Sequence, residues 1–150
     1  MIIHNPYEIT LDKVMGGSSS GNVNITSSLC TFFGSMYVKN GGFCMVLFSL
    51  DKPYKNNYIC FKYKGDTNVY KLIVMCNDIM YQHDFNCSIT TTHHHILLKD
   101  LIPTIRGIPV SAPRVNKKCI SSIGIMISKL DENGKIIYKN DIDFNINFIL

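Results

Sequence analysis

The sequence predicts an all-β domain, a sandwich or jelly roll, and three observations predict it. Apolar and polar residues alternate over short runs. Phe144, Ile146 and Phe148 share one face while Asp143, Asn145 and Asn147 share the other, the period of a strand with one side buried. Tyr70, Leu72, Val74 and Cys76 form a second such row, apart from Lys71, Ile73 and Met75. Finally, Gly, Asn, Asp and Pro punctuate these runs at short intervals, and no stretch sustains a helical period.

In chain order the expected strands are 23–25, 30–38, 43–50, 58–64, 70–76, 79–85, 89–98, 120–129, 135–139 and 142–149. The first follows a run of glycines and serines. The next two are separated by Asn40-Gly41-Gly42, whose glycines can take positive φ, so a hairpin is expected there. Lys64-Gly65-Asp66-Thr67-Asn68 plays the same part between 58–64 and 70–76. A short helical turn is expected near 98–102. Strand 120–129 runs into Asp131-Glu132-Asn133-Gly134, where Asn-Gly is a strong hairpin signal that would fold 135–139 back along it. Such a series of strands with turn signals suits two packed sheets.

Bulk properties bound the function. At 150 residues the chain is most simply one domain, 1–150, long enough to bury roughly 68–70% of the surface its unfolded form exposes. Hydrophobic residues at 46% against 17% charged ones argue for a packed core and against disorder. The longest apolar run, 43–48, falls far short of a membrane span. The start, Met1-Ile2-Ile3-His4-Asn5-Pro6, carries no secretory pattern, and the two arginines, Arg106 and Arg114, stand far from it, so no Arg-rich presequence is read. The net charge of +4 is mild. Lysines 52, 55, 62, 64 and 71 alternate with apolar residues, as on solvated sheet faces, and no nucleic-acid partner is expected. Six cysteines, at 30, 44, 60, 76, 87 and 119, include no Cys-x-x-Cys pair, so reduced, buried thiols are expected in place of a disulfide framework or metal site.

Several motifs invite chemistry. In Asp12-Lys13-Val14-Met15-Gly16-Gly17-Ser18-Ser19-Ser20-Gly21, glycines could turn N–H groups toward an anion, but no Lys-Ser/Thr follows in phosphate-loop spacing. A sharp structural corner is the better reading, with Met15 in the core. Pro103-Thr104-Ile105-Arg106-Gly107 puts an arginine fork beside a glycine, and Asp12 is its expected partner. In His93-His94-His95 the outer two share one strand face, too few ligands for zinc. His83 and Asp84 are strand neighbours that point apart, with no nucleophile motif beside them. Tyrosines at 37, 54, 58, 63, 70 and 81 could stack sugars, but core packing explains several of them and the chain has no Trp.

The 12–21 run closely resembles the Asn-Asp-x-Val-Met-Gly-Gly-x-Ser-x-Gly opening of the complex I intermediate-associated protein 30 family. Later segments recur in the family's order: Phe33-Gly34, Asn40-Gly41-Gly42-Phe43, Gly65-Asp66, Tyr70-Lys71-Leu72, Tyr81-Gln82, Pro103 to Gly107, and Ile123-Gly124-Ile125-Met126-Ile127. Asp12, Met15, Gly16, Gly17, Ser18 and Gly21 match the first motif, and Pro103, Thr104, Arg106 and Gly107 the later one. Leu11 stands where the family has Asn, its tryptophans are missing, and Leu97 replaces a proline. Relative to the family, 131–141 looks like a local extension. The resemblance implies a galactose-binding-domain-like β-sandwich of jelly-roll type that is not an enzyme. It also implies no cofactor, no metal and no catalytic residue. The implied role is that of a protein-binding assembly factor or chaperone of respiratory complex I in the mitochondrion, with a cytoplasmic location as the alternative. A structural subunit of another multiprotein assembly, or a carbohydrate-binding module, are the other readings.

Overall fold

The computed structural model describes residues 1–150. Its twelve strands are β1 (Tyr7–Leu11), β2 (Ser20–Ile25), β3 (Cys30–Met36), β4 (Phe43–Ser49), β5 (Tyr58–Gly65), β6 (Val69–Cys76), β7 (Ile79–Asn86), β8 (Thr92–Leu97), β9 (Ile102–Ile105), β10 (Ile108–Pro109), β11 (Ile120–Ser128) and β12 (Ile142–Ile149). They form two antiparallel sheets, one of seven strands in the order β1-β4-β11-β6-β7-β9-β10 and one of five in the order β2-β3-β12-β5-β8. This is the jelly-roll-like sandwich expected. Helical structure is limited to short 3-10 turns, one of them at Leu98–Asp100, within the stretch expected to turn. No helix is long and apolar enough to cross a membrane.

Alternation decides which side chains enter the core. Cys44, Val46 and Phe48 of β4, Ile123, Ile125 and Ile127 of β11, and Tyr70, Leu72 and Val74 of β6 are fully buried against Phe32, Phe144, Ile146 and Phe148 of the opposite sheet. Aromatic edges lock the layers together, with Phe48 on Phe148 at 6.1 Å and Phe61 on Phe85 at 4.9 Å between ring centres, an arrangement worth ~0.5–1.5 kcal/mol per pair beyond burial.

Several expectations need correction. The Asn40-Gly41-Gly42 and Lys64–Asn68 turns do not close hairpins; each carries the chain from the five-stranded to the seven-stranded sheet. Asp66 secures the second crossing, accepting hydrogen bonds from Tyr70 Oη at 2.7 Å and from the Asn145 N–H of β12 at 2.8 Å. No strand forms at 135–139. Asp131–Gly134 does turn, but only a single bridge, Leu130 to Ile136, follows. The segment instead lies over β7, where Glu132 takes the Asp84 N–H at 2.9 Å and gives its own N–H to Asp84 Oδ2 at 2.8 Å. β1, β9 and β10 lie outside the expected strands because each is short and broken by charge, proline or a tight turn. Lys71 is not solvated: it is 2% exposed and pairs with Asp84 at 2.8 Å.

The thiols also depart from expectation. Cys30, Cys44 and Cys87 are buried and free, but Cys60 is exposed, and Cys76 is joined to Cys119. Cys76 ends β6 and Cys119 precedes β11, so strand pairing brings together residues 43 apart in sequence. Closing such a loop restricts the unfolded chain by up to roughly 4 kcal/mol. Replacing both cysteines by alanine should lower stability by about 2–4 kcal/mol in urea unfolding without reductant. Adding reductant should destabilise the wild type and leave the double variant unchanged. An unmoved wild-type midpoint would count against the bond.

Candidate functional site

The outer face of the seven-stranded sheet is not a polar, solvated surface. Met45, Ile73 and Met126 are buried there, with Phe43, Leu47, Met75 and Met80 packed around them. Above them runs a groove of about 600 Å³. Its floor is this methionine-rich patch. One wall is the corner after β1, and the other is the β9–β10 turn together with Leu130 of the overlying segment.

The first wall is built on Asp12. Its carboxylate is completely buried and accepts the Ser19 hydroxyl at 2.7 Å, the Gly42 N–H at 2.7 Å and the Ser19 N–H at 3.1 Å. Ser19 Oγ in turn accepts the Tyr37 N–H at 2.9 Å. One side chain therefore ties the β1–β2 corner to the β3–β4 crossing. Glycine at positions 17 and 41 follows from this packing, because a Cβ at either would overlap the Asp12 side chain. Gly16 takes φ +85 at the end of the 3-10 turn Asp12–Met15. That turn pushes Val14 and Met15 outward, 84% and 60% exposed, at the groove's edge. Met15 is thus not a core residue, since Asp12 occupies the buried position of the turn. Ser18 faces solvent, and Gly21 in β2 lies against Leu11 and Phe32.

The second wall is the later motif. Pro103 sits opposite Tyr81, and the buried Thr104 hydroxyl donates to the Met80 carbonyl at 2.9 Å, fastening β9 to β7. Ile105 pairs with Ile108, leaving Arg106 and Gly107 as the two turn residues, both at positive φ, +53 and +80. This two-residue turn favours Asn-Gly, so an arginine in it is strained. The expected Asp12–Arg106 pair does not form, because Ser19 and Gly42 already satisfy Asp12. The Arg106 guanidinium is exposed and makes no ion pair; the chain's two ion pairs are Lys71–Asp84 and His83–Glu132.

Of the groove's lining, Met15, Arg106 and Gly107 are among the site candidates of the sequence, whereas Val14, Phe43, Met45, Lys71, Met80, Gln82 and Met126 are not. Ser19, the partner of Asp12, was also missed, although it lies inside the quoted motif. Of the histidines, His93 and His95 are exposed on the five-stranded sheet, while His94 turns inward and stacks on Phe61 at 5.4 Å. Burial, then repulsion from His83, holds the His94 imidazole below its ordinary value.

Burial pushes the Asp12 carboxyl up, and hydrogen bonds from the Ser19 hydroxyl and the Gly42, Ser19 and Phe43 N–H groups outweigh it, so its pKa lies below the ordinary 3.8. A carboxyl depressed on folding contributes stability that is fully present above its unfolded value and lost as pH falls through the folded one. Asp12→Asn should cost about 2–4 kcal/mol at neutral pH, because an amide donor then faces buried donors. The variant should also lose part of the stability decline below about pH 4, read by denaturant unfolding across pH. A neutral-pH loss under ~0.5 kcal/mol would contradict the buried network.

The fold is shared with carbohydrate-binding proteins. The Family 11 Carbohydrate-Binding Module of cellulosomal cellulase Lic26A-Cel5E of Clostridium thermocellum superposes with a TM-score of 0.58 at 12% identity, over 96% of this chain and 86% of that one. The Family 11 module from Clostridium thermocellum in complex with a beta-1,3-1,4-mixed-linked tetrasaccharide gives 0.55 at 12%, over 96% and 87%. A CBM4 structure gives 0.54 at 13%, over 97% and 84%. At such identities the likeness establishes the fold alone. No curated protein sequence matches the chain. The family described as Complex I intermediate-associated protein 30 matches residues 4–147, a span that includes both motif-built walls of the groove, and the chain belongs to that family.

Proposed function

We propose that residues 1–150 act as one non-catalytic interaction domain that helps assemble a multiprotein complex, with respiratory complex I in mitochondria as its first candidate. The partner segment is held in the groove on the seven-stranded sheet. The observation that carries this reading is the convergence of two motifs, far apart in sequence, on one groove. The first contributes Val14 and Met15 and the second Arg106 and Gly107.

The lining suits a polypeptide. Met15, Met45, Met80 and Met126 are flexible and polarizable, and such side chains adapt to apolar partners of irregular shape. Three cations, Lys71, Arg106 and Lys129, and no carboxylate line the groove. Lys71 is compensated by Asp84, and Lys129 Nζ donates to the Val38 carbonyl at 3.1 Å. Arg106 is therefore the uncommitted charge, and the occupant is an apolar segment bearing a carboxylate.

A carbohydrate ligand is the second reading, favoured by the solved relatives, one of which holds a tetrasaccharide. Sugar rings stack on exposed, flat aromatic faces. Phe43 is the one aromatic lining the groove and is half-buried, which supports the polypeptide. A structural subunit of another assembly would use the same groove with a permanent partner.

Affinity capture from native cells separates these readings by what co-purifies. Arg106→Asn should leave stability unchanged or raise it by up to about 1 kcal/mol, because asparagine tolerates positive φ. It should nevertheless lower the captured partner at least roughly tenfold. Met15→Asp should do the same. Equal capture by wild type and both variants would remove the proposal, and binding to a glycan array that both variants weaken would favour the carbohydrate reading instead.

A further inference from the structure

Cys60 stands apart from every other cysteine of the chain. Burial pushes Cys30 and Cys44 up to about 12 and Cys87, with the Asp66 charge adding to the effect, up to about 11. Cys76 and Cys119 are joined to each other. Cys60 alone is both free and exposed, on the outer face of β5. Strand register sets it directly opposite His95 of β8, with Sγ 3.3 Å from Nδ1. The imidazole is held in place by Tyr58, whose ring stacks on it at 4.4 Å and 22°.

The surroundings are cationic. Lys62 and Lys64 follow Cys60 on the same face, and His93 lies opposite Lys62. On β12, Ile149 and Asn147 lie opposite those lysines, so no carboxylate side chain is paired with them or with the thiol. Tyr54, which donates to the Tyr58 carbonyl at 2.7 Å, and Tyr58 itself are the other titratable groups beside it. β8 is an edge strand, so its outer backbone groups are open to an extended peptide.

We propose that Cys60 and His95 form a thiol-modification site that takes small anionic disulfides of the glutathione type. As Cys60 ionises, His95 receives its proton, and the thiolate sulfur attacks one sulfur of the disulfide. The old S–S bond breaks and a Cys60–glutathione bond forms. The second glutathione leaves as a thiolate, carrying the electron pair of the broken bond, and takes up a proton. Cys60 is thereby oxidised and one glutathione sulfur reduced, with no further reactant. Lys62 and Lys64 attract the carboxylates of the reagent, and the edge of β8 receives its peptide groups.

The test incubates the intact protein with glutathione disulfide at several pH values and follows the adduct by mass spectrometry and peptide mapping. One adduct should form, on Cys60. At about pH 7, His95→Phe, which keeps a ring against Tyr58, should react roughly tenfold more slowly, with the difference narrowing at alkaline pH. His95→Gln provides the same comparison should the phenylalanine variant misfold. Cystamine, a disulfide bearing amines, should react more slowly than glutathione disulfide, and Lys62→Gln should narrow that preference. Identical rates and pH profiles for wild type and the His95 variants would overturn the assignment. So would a first adduct on another cysteine, no adduct at all, or a cystamine rate equal to that of glutathione disulfide.

Discussion

The buried carboxylate of Asp12 constrains most of what surrounds it. A charge with no exposure survives only where several donors meet it, and here they come from two corners, Ser19 beside β2 and Gly42 before β4. Those donors reach the carboxylate only if the backbone closes around it, so Gly17 and Gly41 cannot carry a side chain. With Asp12 turned inward, the remainder of its 3-10 turn faces out, and Val14 and Met15 become the near wall of the groove. The same network keeps Asp12 from Arg106 and leaves the arginine free at the far wall. The motif is therefore structural at its first residue, and the residues two and three positions later are the ones the proposed partner would touch.

Much of the fold was legible because burial imposes a period of two. The rows Phe144-Ile146-Phe148 and Tyr70-Leu72-Val74-Cys76 were read correctly, and 142–149 coincides with β12. Glycine-rich turns were also located, but their consequence was not. A turn signal says that the chain reverses; it does not say whether the next strand joins the same sheet or crosses to the other, because that depends on which faces must meet. The short strands β9 and β10 gave no alternation to detect, and 135–139, expected as a strand because it follows the Asn-Gly turn, pairs only through the Leu130–Ile136 bridge.

The site was less legible than the fold. Met45, Ile73 and Met126 occupy the face that alternation assigns to solvent, yet they are buried under neighbouring side chains. Lys71 followed the same rule on paper, and only the β6–β7 register, which places it opposite Asp84, explains its burial. The Cys76–Cys119 and Cys60–His95 pairs likewise arise from strand adjacency between distant segments, which spacing along the chain does not encode. Asp12 and Arg106 were found through the resemblance, and their pairing was wrong because the nearer donors of Ser19 and Gly42 win.

The central claim is that a partner covers the groove formed by the two motifs. Met15 and Met1 offer a matched pair for oxidative footprinting, being 60% and 58% exposed in the free protein. Comparing the purified protein with its captured complex, the account predicts that Met15 becomes strongly protected while Met1 oxidises at its free rate. Unchanged oxidation of Met15 in a complex that shields other surfaces would contradict it.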